Sequence, residues 1–446
     1  MPELGSEPLT PGPRGLEVLR TVLGYNRDPF HTLLNLAGEY GDVVRFIAGP
    51  VNAFLVNGAQ HVETVLVRDA WSFVPVRPFT VERAMRQGLF TSHGYLHHHQ
   101  RELLQGAYAH EHVARFGGII ARWGGWQRDQ WQAGVEMDLE AQLEQLVVRI
   151  SVEILLGDAT FPKGPEWEDF LASADVVNEY LGTRSTNPLR AIAEAVPVRS
   201  ENRRFWRAMA RLEHGIEREV RMRRAERIGP RDDFLSTLLQ APMSDQQVRE
   251  EAIANITTGN AVTVSGLLWT FYLLAQHPSV ESSLHAELDA VLADRLPCVE
   301  DLPRLEYTHM VIAEAMRLYP PAWTIGRRVI QDYAIDGVHL AAGSLVLVSP
   351  YVMHRDRRYF TEPLRFDPER WTPAAVAGRP QFSYFPFSAG PRSCLGEHLA
   401  WMEMELTVAA IAQRWRLRLE PGFPLELLPL IALRPKYGMR MHAEPR

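Results

Sequence analysis

Lysine is almost missing from this chain. Of 47 basic residues only Lys163 and Lys436 are lysine, and the rest are arginine. Codon bias in a GC-rich bacterial genome accounts for this, whereas the hyperthermophile signal favours Lys and Glu and does not fit. Cysteine is as scarce: Cys298 and Cys394 alone cannot build a disulfide framework, and they suit a reducing compartment. No apolar run approaches the roughly 18 residues that a membrane span needs. Net charge is −7, which argues against nucleic acid as a partner. The opening MPELGSEPLTPGPRG lacks the charged start and apolar stretch of a signal peptide. These absences predict a cytoplasmic protein with neither a membrane span nor a nucleic-acid partner.

What is present is a large core. The chain has 446 residues and 46% of them are hydrophobic, which excludes a disordered chain. After a Pro/Gly-rich strap over residues 1–20, PFHTLLNLAGEYGDVVRF predicts a helix, a Gly turn and a strand from Val43 to Phe46. Leu139 to Gly157 and Arg203 to Gly229 carry apolar residues at helical spacing with charge between them. Ser244 is an N-cap candidate for a helix running to about Gln276, apolar in its second half. Strand signals return from Tyr333 to Val348, around Gly turns. HRDRRYFTEPLRFDPERW is too rich in turns for regular structure. Neither a repeat nor a linker divides the chain. The expected fold is mainly α with minor β, in one unit over residues 1–446.

Cys394 sits in FSAGPRSCLG, Phe387 to Gly396, just before a helix-like run. A helix N-terminus favours thiolate over thiol. Gly390 and Gly396 let the backbone approach something flat and large, and Arg392 offers positive charge to an anionic group on it. A thiolate so placed is a nucleophile, a metal ligand or an inert core residue. Nucleophilic catalysis lacks a local signature, and zinc lacks companion ligands, because Cys298 stands alone in a polar connection. A single thiolate suits axial ligation of haem iron.

FSAGPRSCLG resembles in full the F-x-x-G-x-R-x-C-x-G signature of the cytochrome P450 family. EAMR, Glu314 to Arg317, resembles the family's E-x-x-R helix, and FDPERW its later segment, nominating Arg370 as the second arginine of a charge-assisted network. Other positions follow from the same resemblance. GYLHHHQRELL nominates His97 and Arg101 for the haem propionates. PPAWTIGRRVIQD nominates Arg327, with Arg328 as competitor, and Arg392 completes the set. Phe387 would pack on the thiolate side, beside Gly396. The run His97 to His99 is not a metal site, because consecutive helical residues point about 100° apart.

The resemblance implies a haem b enzyme with Cys394 as axial ligand, and oxygen insertion into an apolar substrate. Residues Gly259 to Thr263 would line the oxygen pocket. No fused reductase is recognised, so electrons would come from a separate ferredoxin- or flavodoxin-type donor and its reductase, with O2 as oxidant. One pattern breaks. Relatives carry A/G-G-x-E/D-T in the central helix, and this chain has TTGNAVTVSG. Counting back from His277–Pro278 puts Ala261 and Val262 in the acid and alcohol places; anchoring on SGLL puts Val262 and Thr263 there. The carboxylate is missing either way, although distal oxygen needs protons. Thr258, Asn260 or Thr263 could orient water instead, peroxide could replace oxygen and electrons, or the outcome could be coupling, desaturation or rearrangement. Lipid, terpenoid or carotenoid is the expected substrate, with polyketide or peptide natural products as runner-up. Trp71 to Phe90 is expected to fold over the pocket, with Phe73, Phe79 and Val81 as contacts. The rivals from other classes are a non-catalytic haem sensor and a haem-free binding protein.

Overall fold

The computed structural model describes residues 10–48, 51–77, 79–157, 165–182, 200–225 and 231–446. Helices dominate, and short strands collect into small sheets. The strands are β1 (Val43–Ala48), β2 (Val51–Val56), β3 (Phe73–Pro75), β4 (Glu136–Asp138), β5 (Ile325–Val329), β6 (Tyr333–Ile335), β7 (Val338–Leu340) and β8 (Leu345–Val348). Toward the C-terminus follow β9 (Trp415–Leu419), β10 (Leu427–Pro429), β11 (Leu433–Pro435) and β12 (Arg440–Pro445). The main sheet runs β1-β2-β8-β5-β3; β2 and β8 are parallel and its other pairs antiparallel. The strand signals from Tyr333 to Val348 divide: β6 and β7 form a hairpin around Gly337, while β8, beyond Gly343, joins the main sheet instead of pairing with β7. A three-stranded sheet, β4-β12-β9, ties the C-terminus to the helix at Leu139–Leu156.

That helix starts where Asp138 accepts a bond from Ala141 N–H, and its apolar positions are buried throughout. The helix expected from Arg203 to Gly229 spans Ser200–Ala225, and residues 226–229 lie outside the described residues.

The central rod departs from expectation. Ser244 does cap it, through a capping box with Gln247. But the single helix anticipated to Gln276 is two segments, Asp245–Thr258 and Asn260–Gln276, interrupted at Gly259. The interruption is a single residue, since Gly259 keeps helical dihedrals at φ −81° and ψ −34°. Just before it the Thr257 and Thr258 hydroxyls donate to the carbonyls of Ile253 and Ala254, at 2.7 and 2.8 Å, back-bonding of the kind that bends helices. Beyond the break the rod is core. Trp269 is fully buried and stacks on Tyr319 at 4.2 Å. Ser265 Oγ and Trp269 Nε1 both donate to the carbonyl of Leu433, at 2.6 and 3.0 Å, fixing the C-terminal hairpin against it.

Candidate active site

The thiol loop is held from beneath. Cys394 N–H donates to the Phe387 carbonyl at 2.9 Å and Ser393 N–H to that of Gly390 at 3.0 Å. Gly390 has φ +68°, and a Cβ there would lie 2.1 Å from the Leu66 carbonyl oxygen. Only glycine fits so close an approach. Cys394 is exposed to solvent-sized molecules, although protein atoms surround most of its sulfur. Burial pushes its thiol up to about 11, against the pull of Gly396 N–H, with Glu397 adding and Arg101 opposing. The N-terminal backbone does favour the thiolate, through Gly396 N–H, but burial outweighs it, and a coordinated cation is what deprotonates a thiol outright.

Near the thiol loop stand cations without anions. Arg101 donates to the Ser393 carbonyl and Oγ, at 2.8 and 2.9 Å, and Arg392 to the Ser92 carbonyl at 2.7 Å. Arg327 is buried, bonded only to its neighbour's carbonyl at 3.1 Å. Arg328, the competitor named from the sequence, points the other way on the strand and is exposed. A fourth arginine was not foreseen. Arg77 donates to the Phe90 carbonyl at 2.8 Å and lies 3.9 Å above that ring. Among the described residues none of the four is in an ion pair. Burial and mutual repulsion pull Arg327 and Arg392 down to about 10 and Arg77 to about 9. The same causes hold His97 near 3, so it is a neutral donor and not a cation. Buried unpaired guanidiniums are costly unless an anion joins them. A flat macrocycle bearing carboxylates answers both the charge and the thiol, so these residues fit haem b.

The support network is closed. Glu314 and Arg317 are fully buried and share two bonds of 2.8 Å. Arg370 Nε lies 3.3 Å from Glu314, and Asp367 N–H and Trp371 Nε1 each donate to it at 3.0 Å. Arg317 also donates to the His354 and Pro363 carbonyls at 2.7 Å. The His354 ring accepts from Phe385 N–H at 3.1 Å, two residues before Phe387, which joins the network to the thiol loop. His354 and Trp371 carried no signal in the sequence beyond their neighbourhood. Phe387 is half-buried, with its ring 5.8 Å from Trp401.

Along the middle of the central rod, between Glu250 and Phe271, the partly accessible positions are Asn255, Thr258, Gly259 and Val262, one helical stripe. A Cβ at Gly259 would meet nothing within 4 Å. Asn255 donates to Tyr108 Oη at 3.2 Å, and Tyr108 reaches within 3.9 Å of the Gly396 Cβ position, so Tyr108 links the stripe to the thiol loop. Two anticipated water-orienting residues lie elsewhere. Asn260 turns away and accepts from Ser151 Oγ at 2.6 Å, and Thr263 is buried off the stripe, as is Ala261. Thr258 stays on it.

The anticipated substrate contacts fare likewise. Phe73 packs beneath the main sheet against Tyr333 and Val81 packs in the main core, both for ordinary burial of apolar area. The side chain of Phe79 lies outside the described residues. Cys298 opens a short 3-10 turn with its sulfur 3.2 Å from Asp301. Among the described residues no His, Cys, Asp or Glu group could hold a bare metal ion, and none of the helices is long and apolar enough to cross a membrane. A cleft of about 600 Å3 lined by Tyr272, Tyr319, Tyr351 and Arg355 lies about 20 Å along the rod from Gly259, away from the thiol.

The cytochrome P450 family model matches residues 10–438. The chain is 33% identical to cyclooctatin synthase of Streptomyces melanosporofaciens, over 98% of this chain and 96% of that one. It is 32% identical to cyclooctat-9-en-7-ol 5-monooxygenase of the same organism, over 93% and 90%. Pentalenene oxygenase of Streptomyces avermitilis is 27% identical over 89% and 88%. The fold matches that of retinoic acid bound cyanobacterial CYP120A1 with a TM-score of 0.83 at 23% identity, over 99% of this chain and 100% of that one. Thiol loop, unpaired arginines and buried Glu–Arg network thus find their explanation together: the chain belongs to the cytochrome P450 family and is a haem b monooxygenase.

Proposed function

We propose that this enzyme inserts one oxygen atom into a cyclic terpenoid, using electrons from a separate iron–sulfur or flavin carrier protein. The observation that carries the terpenoid reading is the 33% identity to cyclooctatin synthase over nearly the full length of both chains; the two further relatives are also named for cyclic terpenoids. The balance is RH + O2 + 2e⁻ + 2H⁺ → ROH + H2O. Haem b would supply the oxygen activation when bound, with the Cys394 thiolate holding its iron. Arg77, Arg101, Arg327 and Arg392 would hold the propionates by charge, and His97 as a neutral donor.

The register in which Ala261 and Val262 replace acid and alcohol is the one we favour, because Val262 lies on the accessible stripe. Protons then reach the pocket through water. Thr258 Oγ1 donates to the Ala254 carbonyl and keeps its lone pairs to accept a bond from that water. Val262 and Gly259 leave an apolar wall suited to a hydrocarbon.

The test is a visible-spectrum titration of the ferric enzyme with cyclic diterpene alcohols, sesquiterpene hydrocarbons, fatty acids and carotenoids. A low- to high-spin shift confined to the cyclic terpenoids, followed by a product one oxygen heavier, is expected. A shift with fatty acids alone would refute the substrate class. A product lighter by two hydrogens would move the reaction to desaturation.

A further inference from the structure

An oxidisable ring stands beside the thiol loop that neither iron ligation nor the propionate set uses. Trp401 lies one turn into the helix Glu397–Ala412, which follows Cys394, and is half-buried. Its ring centroid is 5.8 Å from that of Phe387, and the Phe387 carbonyl takes the Cys394 N–H at 2.9 Å. One benzene ring therefore separates the indole from the loop that carries the thiol. Trp401 also meets His309, at 4.3 Å between centroids. His309 is exposed, and its Nδ1 is 2.6 Å from an oxygen of buried Glu405. Phe387, Trp401 and His309 thus form a row from the thiol loop to solvent.

Packing against the core asks only for an apolar ring, and does not require what the Trp401 N–H meets. That N–H bonds to Glu397, one turn back. Burial raises the Glu397 carboxyl, with His398 and Trp401 opposing, and no arginine or lysine pairs with it. Two other tryptophans meet carboxylates of a different kind. Trp123 donates to Glu153, which Arg122 also holds, and Trp371 to Glu314, which Arg317 and Arg370 hold. Carboxylates paired with arginine are poor proton acceptors; Glu397 is a better one. Indole is among the side chains most easily oxidised by one electron. The oxidised ring becomes strongly acidic at its N–H, so a base placed there makes the electron easier to remove.

We propose that Trp401 relays electrons to the haem when it is oxidised with no substrate present, so that the enzyme discharges peroxide with a small-molecule thiol as reductant and spares its haem. This rests on Cys394 holding haem iron and is independent of the substrate class. Peroxide takes up electrons and protons, H2O2 + 2e⁻ + 2H⁺ → 2H2O, and leaves the haem and its thiolate two electrons short. Trp401 supplies these one at a time through Phe387. As each electron leaves, the Nε1 proton passes to Glu397 and a neutral indolyl radical remains. Glu397 gives that proton on to water, replacing one that peroxide consumed. A thiol then returns a hydrogen atom to the indole, and two passages give H2O2 + 2RSH → 2H2O + RSSR.

The experiment mixes substrate-free, haem-loaded enzyme with hydrogen peroxide and freezes it for electron paramagnetic resonance. The wild type should show an indolyl radical, and Trp401→Phe, which keeps a ring against Phe387, should lose it. Bleaching of the Soret band by peroxide should be slowed by glutathione in the wild type. In Trp401→Phe it should be faster and indifferent to glutathione, and Trp401→Tyr, with another oxidisable ring, should recover part of the protection. Trp126→Phe, at an exposed tryptophan on the helix Gly117–Gln130, should behave as the wild type. The carbon monoxide difference spectrum should be the same in all four proteins, which separates loss of the relay from damage to the thiol loop. An indolyl signal of wild-type size in Trp401→Phe, or equal bleaching with and without Trp401, would overturn the proposal.

Discussion

Glu403 offers a test in which removing a charge should stabilise the protein. It lies on the helix Glu397–Ala412, 5% exposed, and its Oε1 has no hydrogen-bond partner. Burial alone pushes its carboxyl from 4.5 up to about 8. Between those values the folded state binds more protons than the unfolded chain, so stability falls as pH rises across that window. At about 1.4 kcal/mol per pH unit, the wild type loses roughly 3 kcal/mol between pH 5 and pH 8 through this one group. Glu403→Gln keeps the volume and removes the titration. Equilibrium urea unfolding of both haem-loaded proteins, followed by circular dichroism, measures the difference. The variant should gain about 3 kcal/mol on the wild type as pH goes from 5 to 8. Parallel stability curves across that range would refute the reasoning.

Three further outcomes follow from the same geometry. Glu314→Gln leaves Arg317 and Arg370 buried without a counter-charge and should cost about 3–5 kcal/mol in urea unfolding; a loss below about 1 kcal/mol would mean that the backbone carbonyls alone hold the arginines. Gly390→Ala must move either the thiol loop or Leu66, since the added Cβ meets the Leu66 oxygen at 2.1 Å, and purified protein should retain less haem; full haem content would contradict the contact. Arg327→Leu should increase the rate of haem transfer to apomyoglobin while leaving the thiolate spectrum intact; an unchanged rate would remove Arg327 from the propionate set.

The parts of the site that were legible from sequence are those written in contiguous residues. The thiol loop, the EAMR helix and FDPERW are local patterns, and the side chains of Glu314, Arg317 and Arg370 from the last two meet. Arg77, Tyr108, His354 and Trp371 were not legible, because each reaches the site through tertiary packing and none differs locally from dozens of similar residues. The phase of the central helix was hidden for another reason. NAVTVSGLL is small and apolar all round, so periodicity cannot say which side faces the thiol loop, and only the packing of neighbours such as Ser151 and Leu433 decides it. The break at Gly259 was invisible because the apolar spacing continues across it. Phe73 misled because an aromatic side chain fills a sheet core as readily as a pocket.

The central claim is that Cys394 ligates haem iron, and the carbon monoxide difference spectrum of the reduced protein tests it most directly. The wild type should show the long-wavelength Soret band of thiolate ligation. Cys394→His should keep haem, held by the arginine cluster, and lose that band for one at shorter wavelength. A wild-type spectrum without the thiolate band, or a Cys394→His protein that retains it, would contradict the account.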